Sequence, residues 1–292
     1  MTHLISSLKE ILDVFDVAVL DQWGVLHNGS LPYPNACQVM RLLKENKKEI
    51  VILSNSGKRS AANLKRIEKM GFPVEIISKI ITSGETLWED ITELRLHIDG
   101  EIPRNIYPIY SRKSDPIDWA SDSNAIEITY ELNSTTDVIL LMGLPDGSAV
   151  DKHDDDFKKA LQFQVPLICS NPDKASPRAG GLVVSPGALA QRYEEMGGEV
   201  IWYGKPYSPV YQAITRCFPS LNPHRFLMVG DSMEHDIAGA QNAGFLSTFV
   251  RAGVHAGDFE NARSEEEILK ISEDIAAAKG IRAPDFSLEF LT

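Results

Sequence analysis

Positive charge and cysteine are both scarce in this sequence, and each shortage narrows what the chain can do. Lysine and arginine number 29 against 41 aspartates and glutamates in 292 residues, for a formal net charge of -12. A field of that sign repels nucleic acid and anionic membranes, so neither is expected as a partner. An anionic ligand has to be received locally, by a metal ion or an isolated basic group. The three cysteines, Cys37, Cys169 and Cys217, lie far apart and have no CxxC spacing. That excludes a disulfide framework or a zinc-binding pattern and fits a reduced, cytoplasmic compartment. Long apolar runs are missing as well. The longest, such as Val138 to Met142, are strand-sized, whereas a membrane helix needs about 20 apolar residues. Internal repeats and low-complexity tracts are absent.

The apolar residues that are present, 43% of the chain, are enough for a full core and are patterned for an α/β fold. From Met1 to Asp13, Leu4, Ile5, Leu8, Ile11 and Leu12 recur at helical spacing around Lys9 and Glu10. This predicts an amphipathic helix rather than a signal peptide. Val17 to Leu20 and Ile50 to Leu53 are short continuous apolar runs, as in parallel strands buried on both faces. Helices are expected at Ala36 to Glu45 and Lys58 to Met70, and a further apolar segment runs from Ile76 to Ile81. The middle of the chain has longer polar connections. It carries a helix from Glu85 to His97, strands near Asn105 to Tyr110, Ile126 to Tyr130 and Asp137 to Gly143, and a helix around Phe157 to Gln164. Regular alternation returns at about Leu182, with the clearest later strand at Phe226 to Gly230. The expected division is therefore residues 1–82 and 182–292 as one domain and residues 83–181 as a second, inserted domain.

Polar residues stand at the ends of several predicted strands: Asp21, Ser54, Lys205, and Asp231 with Asp236. Ligands of open α/β sheets bind outside the carboxyl ends of the strands, so side chains there face a common crevice. One carboxylate after an apolar run is most simply a turn cap; four such positions converging argue for a site. Asp21 and Asp231 together can share Mg²⁺, which prefers oxygen ligands and keeps some of its water. Asp236 could hold a metal-bound water or Lys205. Ser54 and the amides after it could hold phosphate oxygens. The run Asp151 to Asp156 reads instead as a solvated helix start favoured by the helix dipole.

The motifs Asp21-Gln22-Trp23-Gly24-Val25-Leu26, Ser54-Asn55-Ser56-Gly57, Gly204-Lys205-Pro206 and Gly230-Asp231-Ser232-Met233-Glu234-His235-Asp236 occur in that order. The segment Ser170-Asn171-Pro172-Asp173, with Pro177 and Gly181 after it, adds a fifth. Over essentially its whole length the chain resembles the haloacid dehalogenase (HAD) superfamily of hydrolases, specifically the class IIA or NagD-type branch that includes pyridoxal phosphatase and phosphoglycolate phosphatase. The resemblance implies a Rossmann-like parallel-sheet core with an inserted α/β cap of the C2 type. It also implies a phosphatase acting on a small phosphorylated metabolite, with Asp21 as the nucleophile that becomes an aspartyl phosphate. Lys205, Ser54, Asn55 and Ser56 would hold the phosphoryl group. Mg²⁺ would sit on Asp21, the backbone carbonyl of Trp23, Asp231 and, through water, Asp236. Asn171 and Asp173 would contact substrate from the cap, and cap strands could pair across a homodimer.

One position departs from the pattern. Phosphatases of this superfamily usually carry an acid/base aspartate two residues after the nucleophile, and here that residue is Trp23. An indole N–H neither takes nor gives up a proton near neutral pH, and proton transfer typically contributes about 10²- to 10⁴-fold. Three readings follow: a hydrolase whose leaving group needs little protonation or that uses another acid, His27 or Asp173; a weakly active protein that binds or senses a phosphorylated ligand; or other chemistry of the superfamily, such as dehalogenation. Asp231 and Asp236 weigh against the last. His27 is otherwise an ordinary turn histidine, and Tyr107, Tyr110, Trp119 and Tyr130 either form the core of the inserted domain or line a pocket.

Overall fold

The computed structural model describes residues 2–178 and 181–292 and divides into two compact units. The first comprises 1–54, 61–81 and 205–292, and the second 55–60 and 82–204.

The first unit is built on a seven-stranded sheet in the order His3–Leu4, Phe286–Leu288, Leu246–Val250, Phe226–Gly230, Val17–Asp21, Glu49–Ser54 and Lys79–Thr82. Its described pairings are parallel. Successive side chains of a strand point to opposite faces, which accounts for the two apolar layers. Ala18, Leu20, Ile50 and Ile52 pack with Met40 and Leu43 on one side. Val17, Val19, Val51 and Leu53 pack with Val210 and Ile214 on the other. Both faces are covered by helices, so the central strands are fully apolar. Register then fixes the crevice: Asp21 pairs with Leu53 and Leu20 with Val229. Asp21, Ser54 and Asp231 therefore leave their strands at nearly the same level.

The predicted N-terminal helix is shorter than expected; Met1 lies outside the described residues. His3–Leu4 joins the sheet edge instead, and a 3₁₀ helix runs only over Leu8–Val14. Ser7 and Glu10 cap it reciprocally, which marks where the helix can begin.

The second unit carries a five-stranded parallel sheet in the order Val200–Trp202, Leu167–Cys169, Val138–Leu141, Asn105–Ile109 and Glu127–Ile128. An antiparallel pair, Ala175–Arg178 with Gly181–Val184, stands apart from it. This unit extends to Gly204 rather than ending at 181. The Val200–Trp202 strand pairs with Leu167–Cys169, and the helix Pro186–Glu195 packs Leu189, Ala190 and Tyr193 into the same core. Alternating strand and helix look the same whichever sheet they join, so the sequence carried no mark of this boundary. Trp119 is core, with its indole donating to the Gly84 carbonyl at 2.7 Å, whereas Tyr130 is exposed. Asp154 opens the Asp154–Gln162 helix and pairs with Arg192, in keeping with a helix start rather than a metal cluster.

Candidate active site

Asp21 ends its strand and is buried, and Lys205, Asp231 and Asp236 are buried as well. The Lys205 ammonium lies 2.5 Å from Asp21 Oδ1 and 2.7 Å from Asp236 Oδ1. Asp236 is carried on a single π turn, Met233–Ile237, whose start is capped by the Ser232 hydroxyl. Its other oxygen accepts from the Ser232 N–H at 3.0 Å. A π turn widens the backbone and often marks a functional site; here it places Asp236 behind the lysine. Asp231 Oδ2 accepts from the Val254 N–H at 2.8 Å.

Two glycines make room for Asp231. A Cβ on Gly24 would lie 1.8 Å from Asp231 Oδ2, and one on Gly253 would lie 2.0 Å from the same atom. Gly24 also has φ +79°, so only glycine satisfies both its conformation and its neighbour. Sequence reading singled out Gly24 only as part of a motif and missed Gly253 and Val254. The Gly in Arg251-Ala252-Gly253-Val254, after an apolar run, was the one available hint.

Electrostatically, the cluster holds three carboxylates and one lysine. Burial, opposed by Lys205 and reinforced by Asp236, holds Asp21 up at about 7. Asp231 is raised well above the usual carboxylate range by burial and then by Asp21 and Asp236. Burial works against the charge of Lys205, but the two aspartates outweigh it and hold the ammonium protonated. One cation is too few for three buried carboxylates. Oxygen atoms of Asp21, Asp231 and Asp236 lie within 4.8 Å of one another, a hard-oxygen donor set suited to a divalent cation. The charge deficit and the donor type both fit a divalent cation.

The remaining expected residues divide between the two units. Ser54 follows Leu53, the strand partner of Asp21. Asn55, Ser56, Asn171 and Asp173 belong to the second unit. There Asn55 Nδ2 donates to Asp173 Oδ1 at 2.8 Å, and Asn171 Oδ1 accepts from the Asp173 N–H at 3.1 Å. Asp173 thus braces Asn55, a contact that sequence separation conceals.

His27 does not suit the proton-transfer role considered for it. It is fully buried; Nδ1 accepts from the Gly29 N–H at 3.0 Å, and Nε2 faces Gln22 Oε1 at 3.4 Å. Burial, then the nearby Arg66 charge, depress it to about 4, so it is neutral at pH 7. Trp23 pairs with His27 in a short bridge, and its indole lies against Gly29, where a Cβ would come within 2.2 Å of the ring.

Fold and site together define an α/β protein with a buried carboxylate nucleophile candidate at a strand end, a lysine against it and an adjacent cation site. The family model described as haloacid dehalogenase-like hydrolase matches residues 18–97, and a second, HAD-hydrolase-like, matches 202–279. The 4-nitrophenylphosphatase of Schizosaccharomyces pombe is 24% identical over 97% of this chain and 94% of that protein. Glycerol-3-phosphate phosphatase of Homo sapiens is 26% identical over 90% and 87%. Among solved structures, a haloacid dehalogenase-like hydrolase from Brucella suis has a TM-score of 0.78 at 23% identity, covering 99% of this chain and 100% of that one. A 4-nitrophenylphosphatase from Thermotoga maritima has a TM-score of 0.69 at 22% identity, covering 96% of each. The chain belongs to the haloacid dehalogenase-like hydrolases.

Proposed function

We propose that this protein is a Mg²⁺-dependent phosphatase of a small phosphorylated metabolite, working through an aspartyl phosphate on Asp21. The observation that carries the reading is the buried group of Asp21, Asp231, Asp236 and Lys205, in which three carboxylates face one lysine. The names of relatives, a nitrophenyl phosphatase and a glycerol phosphate phosphatase, support the same reaction class.

Asp21, the Trp23 carbonyl, Asp231 and, through water, Asp236 would hold Mg²⁺, which when bound offsets the charge of the phosphoryl group. Asp21 attacks phosphorus, splitting one hard displacement into two easier ones. Lys205, already fixed beside Asp21, stays charged and stabilises the phosphoryl oxygens as charge builds on them. Ser54, Asn55 and Ser56 supply hydrogen-bond donors to those oxygens, with Asn55 steadied by Asp173. The second unit would serve as the cap, with Asn171 and Asp173 as its substrate contacts.

Phosphate release from 4-nitrophenyl phosphate, measured with Mg²⁺ and with EDTA, tests this reading. Release that needs Mg²⁺ and disappears in Asp21→Asn is expected. Release that persists in Asp21→Asn would remove the covalent mechanism. Trp23 favours a second reading, a protein that binds a phosphorylated ligand and turns it over poorly; tight binding of such a ligand without any phosphate release would select it.

A further inference from the structure

Breaking a phosphate ester leaves a negative charge on the departing oxygen. An alkoxide has to be protonated as it leaves, whereas an aryl, enol or acyl oxygen departs as a stable anion. Among the described residues of the first unit, the titratable side chains nearest Asp21 are engaged in other bonds. Lys205 is shared by Asp21 and Asp236. Asp231 is tied to Val254, and Asp236 to Ser232. The Tyr211 hydroxyl is directed at the His235 carbonyl, 3.4 Å away. His27 accepts from Gly29 on Nδ1, so its proton is on Nε2, sealed in the interior facing Gln22. Trp23, two residues after the nucleophile, offers an indole that neither gives up nor takes a proton, and its ring is packed on Gly29.

We infer that this site is specific for phosphorylated substrates whose leaving oxygen departs unprotonated, namely aryl, enol and acyl phosphates, and that it discriminates against alkyl phosphates. The inference rests on the phosphatase reading above and narrows its substrate class. In the first step an Asp21 carboxylate oxygen bonds to phosphorus while the bond from phosphorus to the leaving oxygen breaks. The electron pair goes with that oxygen, which leaves as the anion. In the second step a water oxygen bonds to phosphorus and the bond to Asp21 breaks, restoring the carboxylate; the water proton passes to solvent. With no described side chain of the first unit placed to take that proton, the second step is slow and the phosphorylated protein accumulates.

The test is kcat/KM for acetyl phosphate, 4-nitrophenyl phosphate, phenyl phosphate and glycerol 3-phosphate, all with Mg²⁺, ordered by the acidity of the leaving group. A steep fall along that series is expected, together with a burst of 4-nitrophenol at high enzyme concentration. Trp23→Asp should raise kcat/KM for glycerol 3-phosphate about 10²- to 10⁴-fold while changing that for 4-nitrophenyl phosphate far less. Because the series is first measured on the native protein, the test stands even where that variant does not fold. Comparable kcat/KM for alkyl and aryl substrates would overturn the inference and leave the phosphatase reading standing. Tyr33→Phe covers a half-buried tyrosine whose hydroxyl is raised by burial and then by the Asp231 charge. An unchanged slope supports the inference, whereas a steeper one identifies Tyr33 as the missing acid and overturns it. No release from any substrate would overturn both readings together.

Discussion

Replacing His27 with glutamine should flatten the acid dependence of stability, and the size of the effect follows from how His27 is buried. Its ring is fully enclosed and depressed from 6.5 to about 4, by burial and then by the Arg66 charge. The unfolded chain therefore binds a proton at His27 between those two values while the folded chain does not. Stability from the neutral ring is fully present above pH 6.5 and is lost as pH falls toward 4. At about 1.4 kcal/mol per pH unit, the whole effect is about 3 kcal/mol. About 1 kcal/mol is gone by pH 6 and about 2 kcal/mol by pH 5. Urea unfolding at pH 7.5, 6 and 5 measures it. His27→Gln keeps a polar group near Gln22 and Gly29 but cannot titrate. It should be the less stable protein at pH 7.5, and the gap should close by about 2 kcal/mol at pH 5. Carboxylates that titrate in the same range cancel in the difference. Parallel pH curves for the two proteins would refute the argument and show that His27 takes up its proton in the folded state.

Four further outcomes are expected. Asp21→Asn should lower phosphate release on the order of 10⁴-fold or more, the scale seen when a covalent nucleophile is lost, while circular dichroism stays native. The leaving-group series and its Trp23→Asp arm should show the alkyl-selective gain described above, read as the ratio of two kcat/KM values. Gly253→Ala should weaken Mg²⁺ about 10- to 100-fold, as lost outer support for a ligand typically does. Calorimetric titration reads this without turnover, and equal affinity would show that Asp231 tolerates a displaced turn. Asp16→Asn should cost about 0.5–1 kcal/mol at neutral pH, because the two-pronged pairing with Arg225 is partly exposed. Hydrogen bonds from Arg225 hold the Asp16 carboxyl below its usual range. That stability is present above the ordinary aspartate range and fades as pH drops through the lowered value; urea midpoints at pH 7 and pH 3 compare the two.

The sheet of the first unit was legible because its strands bury both faces. Val17 to Leu20, Ile50 to Leu53 and Phe226 to Val229 are unbroken apolar runs, a pattern a partly solvated strand cannot show. What could not be read was membership. Val200–Trp202 has the composition of a strand in either sheet, and only its pairing with Leu167–Cys169 assigns it. His3–Leu4 was hidden for a related reason: two residues that pair at an edge leave no periodicity to find.

Asp21, Lys205, Asp231 and Asp236 stood out because polar residues at or soon after the ends of parallel strands face a common crevice, and the four side chains lie close together. Their supports could not, since a support acts through space that no spacing rule describes. Asn55 and Asp173 are 118 residues apart yet share a hydrogen bond. Gly253 is the sharper case. Unlike Gly24, it is not in the left-handed region, so nothing about its own backbone demands glycine. The demand comes from Asp231, 22 residues earlier, whose carboxylate occupies the place of the missing Cβ and takes the N–H of Val254. One Asp231 oxygen is thereby fixed by the backbone, which orients the carboxylate toward Asp21 and Asp236. A methyl group at Gly253 has to displace either the turn or the carboxylate. The first loses the Val254 hydrogen bond, and the second moves a cation ligand. Both weaken the cation site while leaving the apolar core of the sheet untouched, so a fall in Mg²⁺ affinity at unchanged urea midpoint in metal-free buffer is the signature that separates support of the site from support of the fold.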